Sequence, residues 1–145
     1  MNSLPFEPRA IIGRREIVTL PELGLKLVCK VDTGAHTSAL HAERVEAFLR
    51  DGERWVRFDT WSGDDENSLR HFEWPLSDER EVRSSNGIAE RRFVIRTQME
   101  IGSISDEIDL TLVDRQQMRH SMLLGRRAMR RLLVAPGASF LQGAP

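Results

Sequence analysis

Apolar and polar positions alternate with a period of two through much of this chain. In residues 25–31, Leu25, Leu27, Cys29 and Val31 alternate with Lys26, Val28 and Lys30, which turns one apolar face toward a core. The pattern returns after Asn86-Gly87, where Phe93, Ile95, Thr97, Met99 and Ile101 alternate with Val94, Arg96, Gln98 and Glu100. It returns again where Ile108, Leu110 and Leu112 alternate with Asp109 and Thr111. Shorter strand-like runs at 17–20, 54–60 and 69–75 are bounded by turn formers: PELG at 21–24, Asp51-Gly52 and Pro75. Asn86-Gly87 predicts a hairpin, because both residues suit the positive φ angles of a two-residue turn. Gly102 predicts the next reversal. This succession of short strands predicts a mainly β fold, a small closed barrel or sandwich. One segment, 126–133, has a helical period instead. Arg126, Arg127, Arg130 and Arg131 fall on one half of a helix and Ala128, Met129, Leu132 and Leu133 on the other, with Pro136-Gly137 ending it. Residues 138–141 (ASFL) predict a last strand.

A length of 145 residues sets the expectation of one domain, here 11–142 with residues 1–10 as an N-terminal extension. No apolar run approaches the roughly 18 residues of a membrane span, and the start shows no basic-then-apolar leader. Cys29 is the only cysteine, so no internal disulfide forms. A cytoplasmic setting is therefore expected, with neither a membrane nor a nucleic acid as partner. The net charge of −1 hides an asymmetry, −5 over residues 1–79 and +4 over residues 80–131. All the basic residues but Lys26 and Lys30 are arginines, which grip carboxylates bidentately and suit an acidic partner. Tyrosine is absent, which excludes any mechanism that needs a phenol.

The chemistry concentrates in VDTGAHTSALHA, residues 31–42. A metal site is a weak reading. The four histidines, His36, His41, His71 and His120, are scattered, His36 and His41 do not share a helix face, and no HExxH is present. GRRAM and GAHTS lack the lysine and spacing of a phosphate loop, and there is no GxSxG elbow. No cofactor and no metal are expected. What remains is Asp32-Thr33-Gly34-Ala35 after an apolar strand. A strand delivers the carboxylate rigidly, Gly34 permits a tight turn, and Thr33 offers a hydroxyl. A plain turn after a strand favours the same residues, so the motif alone is ambiguous. Far downstream, MLLGRRAM (122–129) places a glycine after an apolar run.

Taken together, KVDTGAHTSALHA, VRSSNG (82–87) and LLGR (123–126) resemble the retropepsin-like aspartic endopeptidases, and within them the bacterial RimB-type branch once labelled ATP-dependent zinc proteases. The resemblance spans about residues 11–142. It implies a retropepsin-like closed β-barrel or sandwich with a flap hairpin and one short C-terminal helix. It implies Asp32 as the catalytic aspartate, with Thr33 and Gly34 shaping its loop and Ala35 and Gly125 supporting it. Ser84, Ser85, Asn86 and Gly87 become the flap tip, with Arg83 and Arg91 beside it as substrate-binding residues. His36 departs from the branch, where a basic Arg or Lys is expected. The chemistry needs two carboxylates sharing a proton, and one Asp-Thr-Gly per chain then requires a homodimer. RimB-type proteins are associated with a ligase that adds glutamates to a ribosomal protein's C-terminal tail. With Arg80, Arg83, Arg91 and Arg92 around the hairpin, the expected substrate is an acidic, glutamate-rich tail. No ATP-grasp ligase accompanies the motifs, so ATP dependence is not expected. Two other readings stay open: a non-catalytic module of the same fold that binds peptides or dimerises, and a zinc-dependent peptidase.

Overall fold

The structure, a computed structural model, describes residues 3–63, 68–83, 87–115 and 118–145. Its strands are β1 (Ala10–Gly13), β2 (Arg15–Leu20), β3 (Leu25–Val31), β4 (Ser38–His41), β5 (Glu43–Arg50), β6 (Glu53–Trp61), β7 (Leu69–Pro75), β8 (Asp78–Arg83), β9 (Ala89–Ile101), β10 (Ile104–Val113), β11 (Met122–Leu124) and β12 (Leu132–Ala135). Six of them close into a barrel in the order β9, β10, β4, β11, β3, β2, which returns to β9 where Thr19 meets Glu100. Closure removes exposed ladder edges. Most neighbours are antiparallel, but β4 runs parallel to β10 and β11 parallel to β3.

The alternation read from the sequence follows the alternation of burial except at Phe93, which is only partly buried, and at Val94 and Thr111, which are buried although expected opposite the core set. Leu25, Leu27 and Cys29 point inward while Lys26 and Lys30 face out. Ile95, Thr97, Met99 and Ile101 fill the same interior from β9, and Ile108, Leu110 and Leu112 from β10. Each large apolar side chain fully buried there contributes on the order of 1.5–3 kcal/mol. A separate sheet, β5-β6-β7, sends Val56 and Phe58 into the core, and Phe58 stacks on Phe72. The β8–β9 hairpin reaches beyond the barrel. Its last described pair is Arg83 with Ala89, and residues 84–86, within which the expected two-residue turn begins, lie outside the described residues.

The helix expected over 126–133 is a single 3-10 turn, Arg126–Ala128. Arg131 takes a φ of +56°, outside the helical region, and Leu132–Ala135 then pairs parallel with β1. One turn is a poor nucleus by itself, and the ladder with β1 satisfies more backbone groups. The helical period registered real burial: Ala128, Met129 and Leu132 are buried and the four arginines exposed. The strand expected at 138–141 does not form either. Phe140 sits at φ +57°, and the tail is fastened by a side chain instead. Glu16 is wholly buried, and its carboxylate accepts the backbone N–H groups of Gly13 (2.7 Å), Leu141 (3.0 Å) and Gln142 (3.1 Å).

Glu16→Ala leaves those three N–H groups without their acceptor. The expected loss is about 3 kcal/mol of unfolding free energy, measured by urea titration. A change under about 0.5 kcal/mol would mean the tail is held otherwise. Asp59 on β6 gives the acid dependence. Burial pushes its carboxyl up, but hydrogen bonds from His71 and Arg44 outweigh this and hold it below the ordinary value. A lowered folded-state pKa adds stability above the unfolded value, about 3.9, and that stability is lost as pH falls through the folded value. Asp59→Asn should therefore flatten the acid limb of a thermal-stability profile below about pH 4.

Candidate active site

Asp32 stands where β3 runs out. Its backbone N–H donates to the Leu124 carbonyl (2.9 Å), so the ladder with β11 holds the chain up to this residue. The Ala35 N–H donates to the Asp32 carbonyl (3.2 Å) and closes the turn. The Gly34 N–H donates to the side-chain Oδ1 of Asp32 (2.9 Å), which orients the carboxylate. Asp32 is half-buried, while Thr33 and Gly34 are exposed.

A second segment supports this loop from beneath. The Arg126 and Arg127 N–H groups donate to the carbonyls of Ala35 (2.8 Å) and His36 (3.2 Å), and the Gly125 N–H donates to Ser38 Oγ (3.0 Å). A Cβ on Gly125 would lie 2.5 Å from the Thr37 carbonyl carbon and oxygen. Its φ of −94° is open to any residue, so glycine is required here by contact and not by conformation. The Arg126 guanidinium reaches over the loop to the carbonyls of Thr33 and Gly34, both at 3.3 Å. The fold thus brings Asp32, Thr33, Gly34 and Ala35 together with Gly125. Arg126, read from the sequence as one of four arginines on a polar helix face, is a clamp on the loop.

Arg115 had no motif to announce it. Its N–H donates to His41 Nδ1 (2.8 Å) and its Nε–H to the His120 carbonyl (3.3 Å). Burial pushes its guanidinium down, and the charge of Asp32 acts in the opposite direction, so Arg115 lies in the field of the aspartate. Burial pushes the Cys29 thiol up, which keeps it protonated and unreactive. His41 is a structural pin. Because Nδ1 accepts a backbone N–H, the ring proton sits on Nε2 and faces Glu43 Oε2 (2.9 Å), and the ring packs on Trp61. His36 is exposed and His71 is bound to Asp59. Among the described residues, no group of three His, Cys, Asp or Glu side chains is disposed to hold a metal.

On the hairpin, Gly87 is exposed at φ +82° with open space around it. Ser84, Ser85 and Asn86 lie outside the described residues, as does the side chain of Arg83. Arg91 is ion-paired with Glu79 (2.9 Å), Arg80 with Asp78 (3.0 Å) and Arg92 with Glu90 (3.5 Å). Arg96 is paired with Asp109 (3.0 Å). Among the described side chains, Arg80 and Arg92 are thus answered by acids two residues away, and Arg91 and Arg96 by acids distant in the sequence, Glu79 across the ladder and Asp109 on β10.

A family model described as "RimB-like: Retropepsin-like aspartic endopeptidase RimB" matches residues 11–145. A protein of Parasynechococcus marenigrum named "Probable alpha-L-glutamate ligase" is 42% identical over 138 residues, covering 93% of this chain and 30% of that one. A protein of the same name from Shewanella pealeana is 39% identical over 136 residues, covering 92% and 30%. The chain thus spans under a third of the curated relatives it matches. A solved Legionella pneumophila protein of unknown function (DUF785) superposes with a TM-score of 0.76 at 26% identity, covering 92% of this chain and 98% of that one. Among the described residues, no helix is long and apolar enough to cross a membrane.

Gly125→Ala sets a methyl group against backbone that cannot yield cheaply. It should cost about 2–3 kcal/mol in denaturant unfolding and disorder the Asp32 loop, seen as faster amide exchange at Gly34 and Ala35. Wild-type stability in this variant would show that Thr37 has room to move.

Proposed function

We propose that this chain, which belongs to the RimB-like family of retropepsin-like aspartic endopeptidases, is a cytoplasmic aspartic endopeptidase that works as a homodimer and cuts acidic, glutamate-rich protein tails. The observation that carries the reading is the Asp32 carboxylate at a strand end, with Oδ1 held by the Gly34 N–H and its loop clamped by Gly125 and Arg126. A carboxylate fixed this way supports acid–base work on a water. One Asp-Thr-Gly per chain leaves the second carboxylate to a second copy related by a twofold axis. Two such groups sharing a proton divide the labour. The ionised Asp32 takes a proton from water as its oxygen attacks the scissile carbonyl carbon. The protonated Asp32 donates to the carbonyl oxygen. The tetrahedral intermediate then breaks at the C–N bond, with a proton passing to the leaving nitrogen. The hairpin carrying Gly87 would close over the peptide and exclude solvent.

The substrate class draws support from the relatives' printed name. A hydrolase module that recurs within proteins named as glutamate ligases suits the bonds such a ligase makes, as on a glutamylated ribosomal protein tail. The same name favours a second reading, a module that holds an acidic tail for a ligase without cutting it. Asp32→Asn separates the two. For a protease, cleavage of a peptide ending in several glutamates, followed by mass spectrometry, should fall by at least about a thousand-fold. For a binding module, wild type and variant behave alike.

The rate of the wild-type enzyme should be bell-shaped in pH, because a pair sharing a proton titrates as a unit. Activity should survive a chelator, and the active species should sediment as a dimer. An active monomer would overturn the paired-aspartate mechanism.

A further inference from the structure

Beside the aspartate lies an open cavity of about 430 Å³ lined by Arg14, Arg15, Lys30, Val31, Arg119 and His120. Its wall is made by the fold. Arg15 and Lys30 are register partners on β2 and β3, and Arg119 and His120 come from the segment that enters β11. Val31, which lines it, immediately precedes Asp32. Among the described residues, no acidic one lines it.

The charges here differ from those of the hairpin. Arg80, Arg91, Arg92 and Arg96 each have a carboxylate partner. Arg14, Lys30 and Arg119 are exposed and, among the described residues, have no carboxylate within 4.0 Å. Arg15 keeps its Nε buried without a hydrogen-bond partner, and its guanidinium lies over the Phe140 ring. Like charges gathered around one hollow repel one another and focus a positive potential into it. A crevice elsewhere, lined by Thr37, Arg96, Glu107, Asp109 and Arg127, holds charges of both signs and has no such bias.

We propose that this cavity is the anion subsite of the cleft and receives a carboxylate side chain of the substrate, one or two residues from the bond opposite Asp32. The inference rests on reading Asp32 as the catalytic residue, and it moves acid recognition from the hairpin arginines to the barrel wall. The spacing is that of an extended chain. Lys30 and Asp32 are two residues apart, roughly 7 Å along a strand, and a bound extended peptide advances by the same step. The guanidinium groups give a carboxylate paired N–H donors, and the Lys30 ammonium adds a point charge.

The test separates this site from the chemistry. In an Asp32→Asn background, binding of a labelled oligoglutamate peptide and its oligoglutamine counterpart is measured by anisotropy at low and high salt. The triple variant Arg14→Gln, Lys30→Met, Arg119→Gln should bind oligoglutamate roughly ten- to hundredfold more weakly, as expected for lost charge-assisted hydrogen bonds, and lose most of the salt dependence. The three side chains are exposed, so an unchanged melting profile is expected and confirms folding. Lys26→Met removes the same charge from the same strand outside the cavity and should leave the preference intact. With Asp32 restored, the triple variant should lose the acidic-over-neutral preference in kcat/KM. Equal oligoglutamate binding by triple variant and parent, or none by the parent, overturns the subsite. So does a preference removed by Arg80→Gln with Arg91→Gln but not by the triple variant. Binding that depends on the cavity in a protein that cuts nothing leaves the subsite standing and overturns the protease reading alone.

Discussion

The contact of Gly125 with the backbone of Thr37 is the constraint on which the candidate site depends. β11 is inserted between β3, parallel to it, and β4, antiparallel to it. β3 delivers Asp32 and β4 begins just beyond its loop, so the strand between them must pass beneath the loop that joins them. A side chain at 125 would occupy the space of the Thr37 carbonyl. With glycine there, the Gly125, Arg126 and Arg127 N–H groups meet acceptors on the loop above. The orientation of one carboxylate is thereby tied to closure of the barrel.

Electrostatics divides the surface into two regimes. Around the hairpin and the β5-β6-β7 sheet, arginines meet acids in exposed pairs such as Arg54 with Glu79 and Arg44 with Asp59. Such pairs contribute at most about 1 kcal/mol each and leave little net field. Beside Asp32 the cations of β2, β3 and the approach to β11 stand, among the described residues, without carboxylate partners. Arg115 is a third case, half-buried and held by His41 and the His120 carbonyl within reach of the aspartate's field. What each arginine can do depends on its neighbours in space, which composition does not report.

The relatives set this barrel in a larger frame. Proteins more than three times its matched length are similar to it at about 40% identity over under a third of their own chains. The Legionella protein keeps the fold at lower identity and near-complete mutual coverage. The Asp32 loop and its supporting segment lie inside the matched region.

The period-two patterns of 25–31, 93–101 and 108–112 determined β3, β9 and β10 and most of their buried faces by themselves, because alternation is a local property that one buried face imposes on a strand, whereas burial of Val94 and Thr111 on the alternate positions was not in the pattern. The Asp-Thr-Gly-Ala loop was legible for a similar reason, since its residues are consecutive. At 126–133 local pattern misled: burial of Ala128, Met129 and Leu132 imitates a helix, while a ladder with β1, distant in sequence, selects a strand. The tail at 138–142 followed Glu16 rather than its own propensity, because a buried carboxylate must find donors and those N–H groups were within its reach. The clamp of Arg126, the pin of His41 on Arg115, the pairing of Arg91 with Glu79 and of Arg96 with Asp109, and the cluster around Lys30 were decided by tertiary structure alone. Each joins residues far apart in the chain, and only barrel closure sets the distances over which hydrogen bonds and charges act.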